Sequence, residues 1–394
     1  MNGRTADAVV IGGGVIGLSV AFHLAKQGFR NVVVVERNYV CSGTTGQSGA
    51  IIRQHYSNDF TAAMARDSLA VFRNWADEVG GGDVRFEQTG VLILTGPEYE
   101  PAFRQNVALH QSLGIDSRQI DLAELREIEP RLAADGLSSA CWEGTAGLVD
   151  PVATVHALAA AFQREGGTLL ERSEVVEIMR VAGGVAGVRL GNGEAIAAAV
   201  VVNAGNLWGA RLLAGFPFEL PLFATRHPMA SLRRPDDFGP SHPVVLDLQT
   251  MGYLIPRAGA TLSGSLLTHS EDQSVDPDGY EKGVTNEEIG RFVASAAGLL
   301  PALARSVVQG GWAGIYDESP DSHPVLDESP GVEGLFIALG FSGHGFKLSP
   351  LVGLWMAKMI AGGRDAAPEL RPFRATRWIE GEPIVARSGV GVLS

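Results

Sequence analysis

Three consecutive glycines, with a fourth three residues further on, constrain this chain more than any other feature. Ala8 to Ile11 is a short apolar run without a polar break; Gly12, Gly13, Gly14, Val15, Ile16 and Gly17 follow at once, and Leu18 to Gln27 then reads as a helix. A strand that feeds through glycines directly into a helix places a different demand on each glycine. Gly12 permits the tight turn, Gly14 lets the backbone approach a diphosphate, and Gly17 lets the helix pack closely on the strand. The helix start offers unpaired N–H groups, which suit an anion.

A second apolar run, Asn31 to Val35, ends at Glu36 and Arg37, about 20 residues beyond the glycines, where a carboxylate suits both ribose hydroxyls and disfavours a 2′-phosphate. Strand, glycine turn, helix, second strand and acid together predict a Rossmann-type dinucleotide unit. FAD and NAD both satisfy that pattern. Three later segments favour FAD. Cys41 to Gly49 is small and hydroxylated, which suits a loop pressed against a diphosphate and a flavin ring, with Thr44, Thr45, Gln47, Ser48 and Gly49 as its contacts. Glu174 to Ile178, including Val176, and Val200 to Val202 read as strands; the second runs into Asn203, Ala204, Gly205, Asn206, Leu207 and Trp208 and returns the chain to the cofactor. Leu335 to Leu339 is a strand running into Gly340 to Lys347, with Ser349 expected as N-cap, Pro350 as first helical residue and a helix through Ile360. An NAD-dependent dehydrogenase is the rival reading, which a flavin absorption band would exclude.

Composition narrows the rest. With 394 residues, 45% of them hydrophobic, the chain buries a large core and suggests two or three domains. A net charge of −13 makes nucleic acid and acidic membranes poor partners. Cys41 and Cys141 are too few for a disulfide scaffold, and no zinc spacing or Ser-His-Asp pattern competes with cofactor chemistry. The longest apolar stretches, such as Ala195 to Val202, are too short to span a bilayer, and the first residues lack a basic leader, so a cytoplasmic protein is expected. Locally, Asp150 and Pro151 open a helix through about Arg164, Leu190 to Glu194 carries an Asn-Gly hairpin turn, and Tyr253 to Gly264 alternates around Pro256 and Gly259.

The segments VVIGGGVIGLSVAFHLA, SGTTGQSGAIIRQHY, VVNAGNLW and GFSGHGFKLSP occur in this order along nearly the whole chain. In them the chain resembles the D-amino acid oxidase and sarcosine oxidase superfamily, in particular its sarcosine oxidase β-subunit and monomeric sarcosine oxidase branch. The resemblance implies an α/β protein with an α+β substrate part: FAD on a Rossmann unit, roofed by a second domain built on an antiparallel sheet. The FAD-binding part would comprise residues 1–85, 145–215 and 310–394, and the substrate part residues 86–144 and 216–309, including the strand 90–95 and the helix 98–113. It also implies oxidation of the C–N bond of a small amino acid or N-alkyl amino acid by hydride transfer to flavin N5, giving an imine that hydrolyses. Arg53 and Lys347 match the family's carboxylate-binding pair, and an arginine fork suits bidentate pairing. His344, between Gly343 and Gly345 and next to Phe346, would lie at the flavin edge, and Tyr253 in the pocket. His55 and His269 are expected to be solvated.

Two departures matter. Gly311 to Tyr316, around Gly314, holds no cysteine to tether FAD, so non-covalent binding is expected, with Cys41 a small packing residue. Leu262 stands where those oxidases keep a lysine over the flavin, which leaves oxygen or another carrier as electron acceptor. A dehydrogenase subunit of a hetero-oligomer and 2-hydroxy acid oxidation remain alternatives, and whether the chain is a monomer or an oligomer stays open.

Overall fold

A computed structural model describes residues 4–267 and 271–386. Its Rossmann unit is a six-stranded sheet in the order Val325–Glu328, Leu335–Leu339, Val201–Asn203, Ala8–Ile11, Val32–Val35, Thr168–Leu170. All neighbours run parallel except Val325–Glu328 at one edge. Every residue of Ala8–Ile11 and Val32–Val35 is buried, the mark of strands covered on both faces. One face carries the helices Val15–Lys26, Pro151–Arg164 and Gly345–Gly362, which share one apolar core with the helix Asp59–Arg73. The Ser19 hydroxyl donates to the Ser349 carbonyl at 2.8 Å, pinning the first helix to the last. The other face is covered by a four-stranded sheet of Arg4–Thr5, Ala195–Ala197, Gly184–Leu190 and Val175–Val181, whose hairpin turns at the expected Asn-Gly, with Gly193 at φ +88°.

The second layer is an eight-stranded sheet in the order Val307–Glu318, Phe223–Arg233, Ala260–Ser265, Gly252–Arg257, Val244–Asp247, Val91–Thr95, Ser139–Glu143, Arg118–Ile120. It is antiparallel apart from one parallel pair, Val244–Asp247 with Val91–Thr95. Those two strands come from widely separated segments, so no hairpin dictates their direction. The strand Val307–Glu318 belongs to this sheet over its whole length and passes through residue 310. A two-stranded ribbon, Ile51–Ile52 with Gly147–Leu148, leads into the buried residues 53–58.

Most local signals hold. Asp150 caps the helix Pro151–Arg164, its carboxylate accepting from the amides of Val152 and Ala153 at 2.9 Å. The last helix is the exception: it begins at Gly345 with His344 at the N-cap, five residues before the expected Ser349, and Pro350 lies inside it. Residues 345–353 are all buried, and that tertiary packing overrides proline's preference for the first helical position. Cys41, expected as a small packing residue, is a buried free thiol, and so is Cys141. Among the described residues, no helix is long and apolar enough to cross a membrane.

Candidate active site

The glycine turn opens one wall of a groove of about 680 Å³. Gly12 has φ +107°, and a Cβ there would lie 2.6 Å from the Ala204 carbonyl oxygen; a Cβ on Gly17 would lie 2.0 Å from that of Gly12. Neither position tolerates a side chain, which fixes the turn in the form the sequence demanded. The helix Val15–Lys26 has no side-chain cap and no acid in its first turn, and its start faces the groove through Gly14 and Ile16. The Val15 amide donates to Thr45 Oγ1 at 3.3 Å, holding the hydroxylated loop against the helix start.

Glu36 accepts from the Gly13 amide at 2.8 Å through one oxygen and from the Asn38 amide at 2.8 Å through the other, and it still lines the groove. A carboxylate has about four acceptor positions, so capacity for hydroxyl donors remains. Arg37, Thr44, Val176, Ala204, Gly205 and Trp208 line the same groove. Gly17 and Asn203 do not: Gly17 packs behind the turn, and the buried Asn203 donates to the Gly209 carbonyl at 2.8 Å and accepts from the Gly205 amide at 3.3 Å. They brace the wall instead of facing into the groove.

Two further cavities adjoin the groove in turn. Ile16, Thr44, Thr45 and Phe341 are shared with a narrower passage that Val15, Gln47, Gly314 and Gly345 also line. That passage shares Ser48, Gly49, Gly343 and Phe346 with a terminal cavity of about 140 Å³ holding Arg53, Tyr253, His344 and Lys347. The glycine turn and the two basic side chains thus stand at the two ends of a row of three adjoining cavities.

Arg53 and Lys347 are both buried and form no ion pair among the described residues. Each lies over the ring of Tyr56, at 4.6 Å and 5.8 Å from its centroid. Arg53 also donates to the carbonyl of His55. Burial first, and the Arg53 charge second, push the Lys347 ammonium well below its usual value. Tyr56 hydroxyl and His344 Nδ1 are 3.1 Å apart; burial and the two cations keep His344 neutral. His55 is fully buried instead of solvated, packed edge-on against His110. His269 lies outside the described residues. Leu262 is buried in the apolar layer with Met229 and Ile255 and lines neither the passage nor the cavity.

The family profile described as FAD dependent oxidoreductase (DAO) matches residues 7–359, most of the chain. The chain belongs to the FAD dependent oxidoreductase family. It is similar to the glycine oxidase of Geobacillus kaustophilus (strain HTA426), with 28% identity over 95% of this chain and 97% of that protein. It is similar also to a sarcosine oxidase subunit beta of Arthrobacter sp, with 28% identity over 97% of this chain and 93% of that one. Among solved structures, L-proline dehydrogenase from P. horikoshii superposes with a TM-score of 0.88 at 28% identity, covering 97% of this chain and 100% of that chain.

As a member of the FAD dependent oxidoreductase family, this chain is a flavin enzyme, and its groove fits that cofactor. A groove walled by glycines that exclude a Cβ, with an uncapped helix start at one side and a carboxylate at one end, matches a diphosphate joined to a ribose.

Sequence reasoning missed the far wall of the terminal cavity. His227, Tyr316 and Glu318 line it from the two paired strands Phe223–Arg233 and Val307–Glu318. The rings of His227 and Tyr316 stack at 3.7 Å. A period-two signal was present: Thr225 and His227, like Tyr316 and Glu318, lie two residues apart and so on one face of a strand.

Proposed function

We propose that this enzyme oxidises the carbon–nitrogen bond of a small carboxylate-bearing amine, an amino acid or N-alkyl amino acid, with FAD held non-covalently. Gly12, Gly14 and the start of the helix Val15–Lys26 would hold the diphosphate, Glu36 the ribose, and Gln47, Ser48, Gly49, Gly314, Gly343 and Phe346 the ring system. Residues 1–85, 145–215 and 310–394 would form the cofactor-binding part and the remainder the substrate part. When bound, FAD supplies the two-electron acceptor.

The observation that carries this reading is the pair of buried basic side chains, Arg53 and Lys347, which form no ion pair within 4 Å among the described residues and line a cavity that adjoins the passage towards the glycine turn. Two desolvated basic groups beside one aromatic ring are costly to hold charged unless an anion joins them. A substrate carboxylate is that anion. Arg53 and Lys347 would then set the orientation, Tyr253, Met229 and Ile255 would exclude water, and His344, kept neutral, would donate or accept a hydrogen bond without carrying charge. The names of the relatives, glycine oxidase, a sarcosine oxidase subunit and L-proline dehydrogenase, support the same class. The product imine hydrolyses in water after release.

Anaerobic bleaching of the flavin band by a panel of N-methyl, D-, L- and cyclic amino acids, with 2-hydroxy acids as controls, tests this reading. Bleaching by an amine is expected; bleaching by the hydroxy acids alone, or by none, overturns it. Dioxygen or another carrier then takes the electrons, and stopped-flow mixing of the reduced enzyme with oxygen separates the two.

A further inference from the structure

The terminal cavity holds an acid as well as two bases. Among the described residues, Glu318 is the only side chain with a carboxyl group that lines it, together with Arg53 and Lys347. Glu318 ends the strand Val307–Glu318, whereas Arg53 follows the ribbon Ile51–Ile52 and Lys347 opens the last helix. Among the described residues it forms an ion pair with neither base. The sheet holds it instead: the Thr225 hydroxyl donates to Glu318 Oε1 at 3.0 Å, and His227 Nε2 lies 3.5 Å from that same oxygen. Glu318 Oε2 takes no hydrogen bond among the described residues and is not sealed off by protein atoms. One oxygen thus fixes the side chain and the other is left open to the cavity that Glu318 lines.

The place of Glu318 decides which part of a substrate it meets. The residues proposed to hold the ring line the passage, and the reacting bond must face that ring. Glu318, like Arg53 and Lys347, lines the cavity and not the passage. It therefore meets a group remote from the reacting bond. Tyr316 stands within reach of both signs of charge: burial and then Glu318 push its phenol up to about 12, and Arg53 pulls the other way.

Resting on the function proposed above, we propose that Glu318 selects substrates with a second, positively charged nitrogen remote from the carboxylate, the class of amino acids with a basic side chain. The substrate carboxylate stays with Arg53 and Lys347, and the distal cation pairs with Glu318 Oε2. An aliphatic side chain of the same length would close the cavity over a carboxylate oxygen without a partner, which costs binding. An acidic side chain would meet Glu318 with like charge. The nitrogen that reacts is not the group read here. Its lone pair must be free before the adjacent carbon is oxidised, and a carboxylate beside it would favour the ammonium form.

The experiment compares the natural holoenzyme with Glu318→Gln and Glu318→Asp. The ligands are 4-aminobutanoate, 5-aminopentanoate and 6-aminohexanoate, each against the plain alkanoate of the same length. They keep the carboxylate and distal ammonium of basic amino acids and lack the α-nitrogen, so perturbation of the flavin spectrum reads binding apart from oxidation. In the natural protein the best aminoalkanoate should bind at least roughly tenfold more tightly than its alkanoate, and in Glu318→Gln the two should agree within about twofold. Glu318→Asp draws the charge back by one methylene and should move the preference to a longer chain. Lysine should likewise exceed norleucine in kcat/KM by at least roughly tenfold in the natural enzyme, and this ratio should collapse in Glu318→Gln. A natural protein that binds the alkanoates as tightly, or an unchanged ratio in Glu318→Gln, overturns the proposal. So does an equal weakening of both ligands, which would mark a packing role, and so does bleaching by an aminoalkanoate, which would put its nitrogen at the ring. A natural enzyme that no amine bleaches refutes the function proposed above instead, and the binding ratio still decides the role of Glu318.

Discussion

Arg53 and Lys347 lie over the same aromatic ring, Tyr56, although one follows the ribbon Ile51–Ile52 and the other opens the last helix. Cation–π contact of this kind offsets part of the desolvation cost of each charge, on the order of 2 kcal/mol or less per contact, and leaves the rest to an incoming anion. Truncating one member of a buried charge pair costs about 2 to 5 kcal/mol. Arg53→Ala is therefore expected to raise KM at least roughly tenfold while the flavin spectrum of the purified protein stays unchanged. Steady-state kinetics checks this, and unaltered KM would remove Arg53 from the substrate site.

A second consequence concerns protons. Burial and Arg53 hold the Lys347 ammonium well below its ordinary value, so without an anion this lysine is neutral over part of the pH range. A carboxylate beside it raises that pKa again. Binding of methoxyacetate, a small carboxylate with no N–H, should then take up protons, and its affinity should fall as pH rises above the pKa of the ligand-free lysine. Calorimetry in buffers of different ionisation enthalpy reads the uptake directly. Lys347→Met should abolish it, and an equal proton count in the two proteins would contradict the assignment.

At the Glu36 end of the groove, Asp278 ties three elements together. Its carboxylate accepts from Trp208 Nε1 at 2.6 Å, pairs with Arg211, and lies 3.6 Å from Arg37, whose guanidinium stacks on the Trp208 ring at 3.9 Å. Asp278 and Arg211 are half exposed, so each ion pair is worth about 1 kcal/mol or less. Asp278→Asn keeps the acceptor for Trp208 and loses the charge. FAD release from this variant, followed by recovery of flavin fluorescence, should be only a few-fold faster, and the difference should shrink at high salt. A rate unchanged at low salt would mean that the knot plays no part in holding the cofactor.

What the sequence made legible was local. Gly12 and Gly17 announce themselves because their backbone conformation or close approach admits no Cβ, and Asp150 because a cap acts within three residues. The cation pair was legible through the resemblance of the segments around Arg53 and Lys347. The start of the last helix was not, since Pro350 signals a first turn locally while the burial of residues 345–349 is a tertiary fact. His55 misled for a related reason: its neighbours Gln54, Ser57 and Asn58 are polar, yet all six residues from Arg53 to Asn58 are buried. The cluster in which the Thr225 hydroxyl contacts both His227 and Glu318 depends on register, with Thr225 opposite Tyr316 and Phe223 opposite Glu318 across two strands far apart in the chain. Nothing local encodes that pairing.

Glu143 ends the strand Ser139–Glu143 behind Arg53 and His55. One of its oxygens accepts from the Gln54 amide at 2.8 Å and the other has no partner. Burial pushes this carboxyl up to about 7 from its usual 4.5, with the Gln54 amide and Arg53 pulling the other way. The folded pKa therefore lies above the unfolded one. Below about pH 4.5 both states hold the proton and there is no penalty; between 4.5 and 7 the unfolded chain releases it while the folded one retains it, so stability falls as pH rises, and above 7 the loss is complete. A shift of this size corresponds to roughly 3 kcal/mol at most. Glu143→Gln preserves an acceptor for the Gln54 amide and cannot ionise. Thermal unfolding should accordingly favour the variant over the natural protein more at pH 8 than at pH 5, and a difference that stays constant between those pH values would show that Glu143 carries its charge in the folded state.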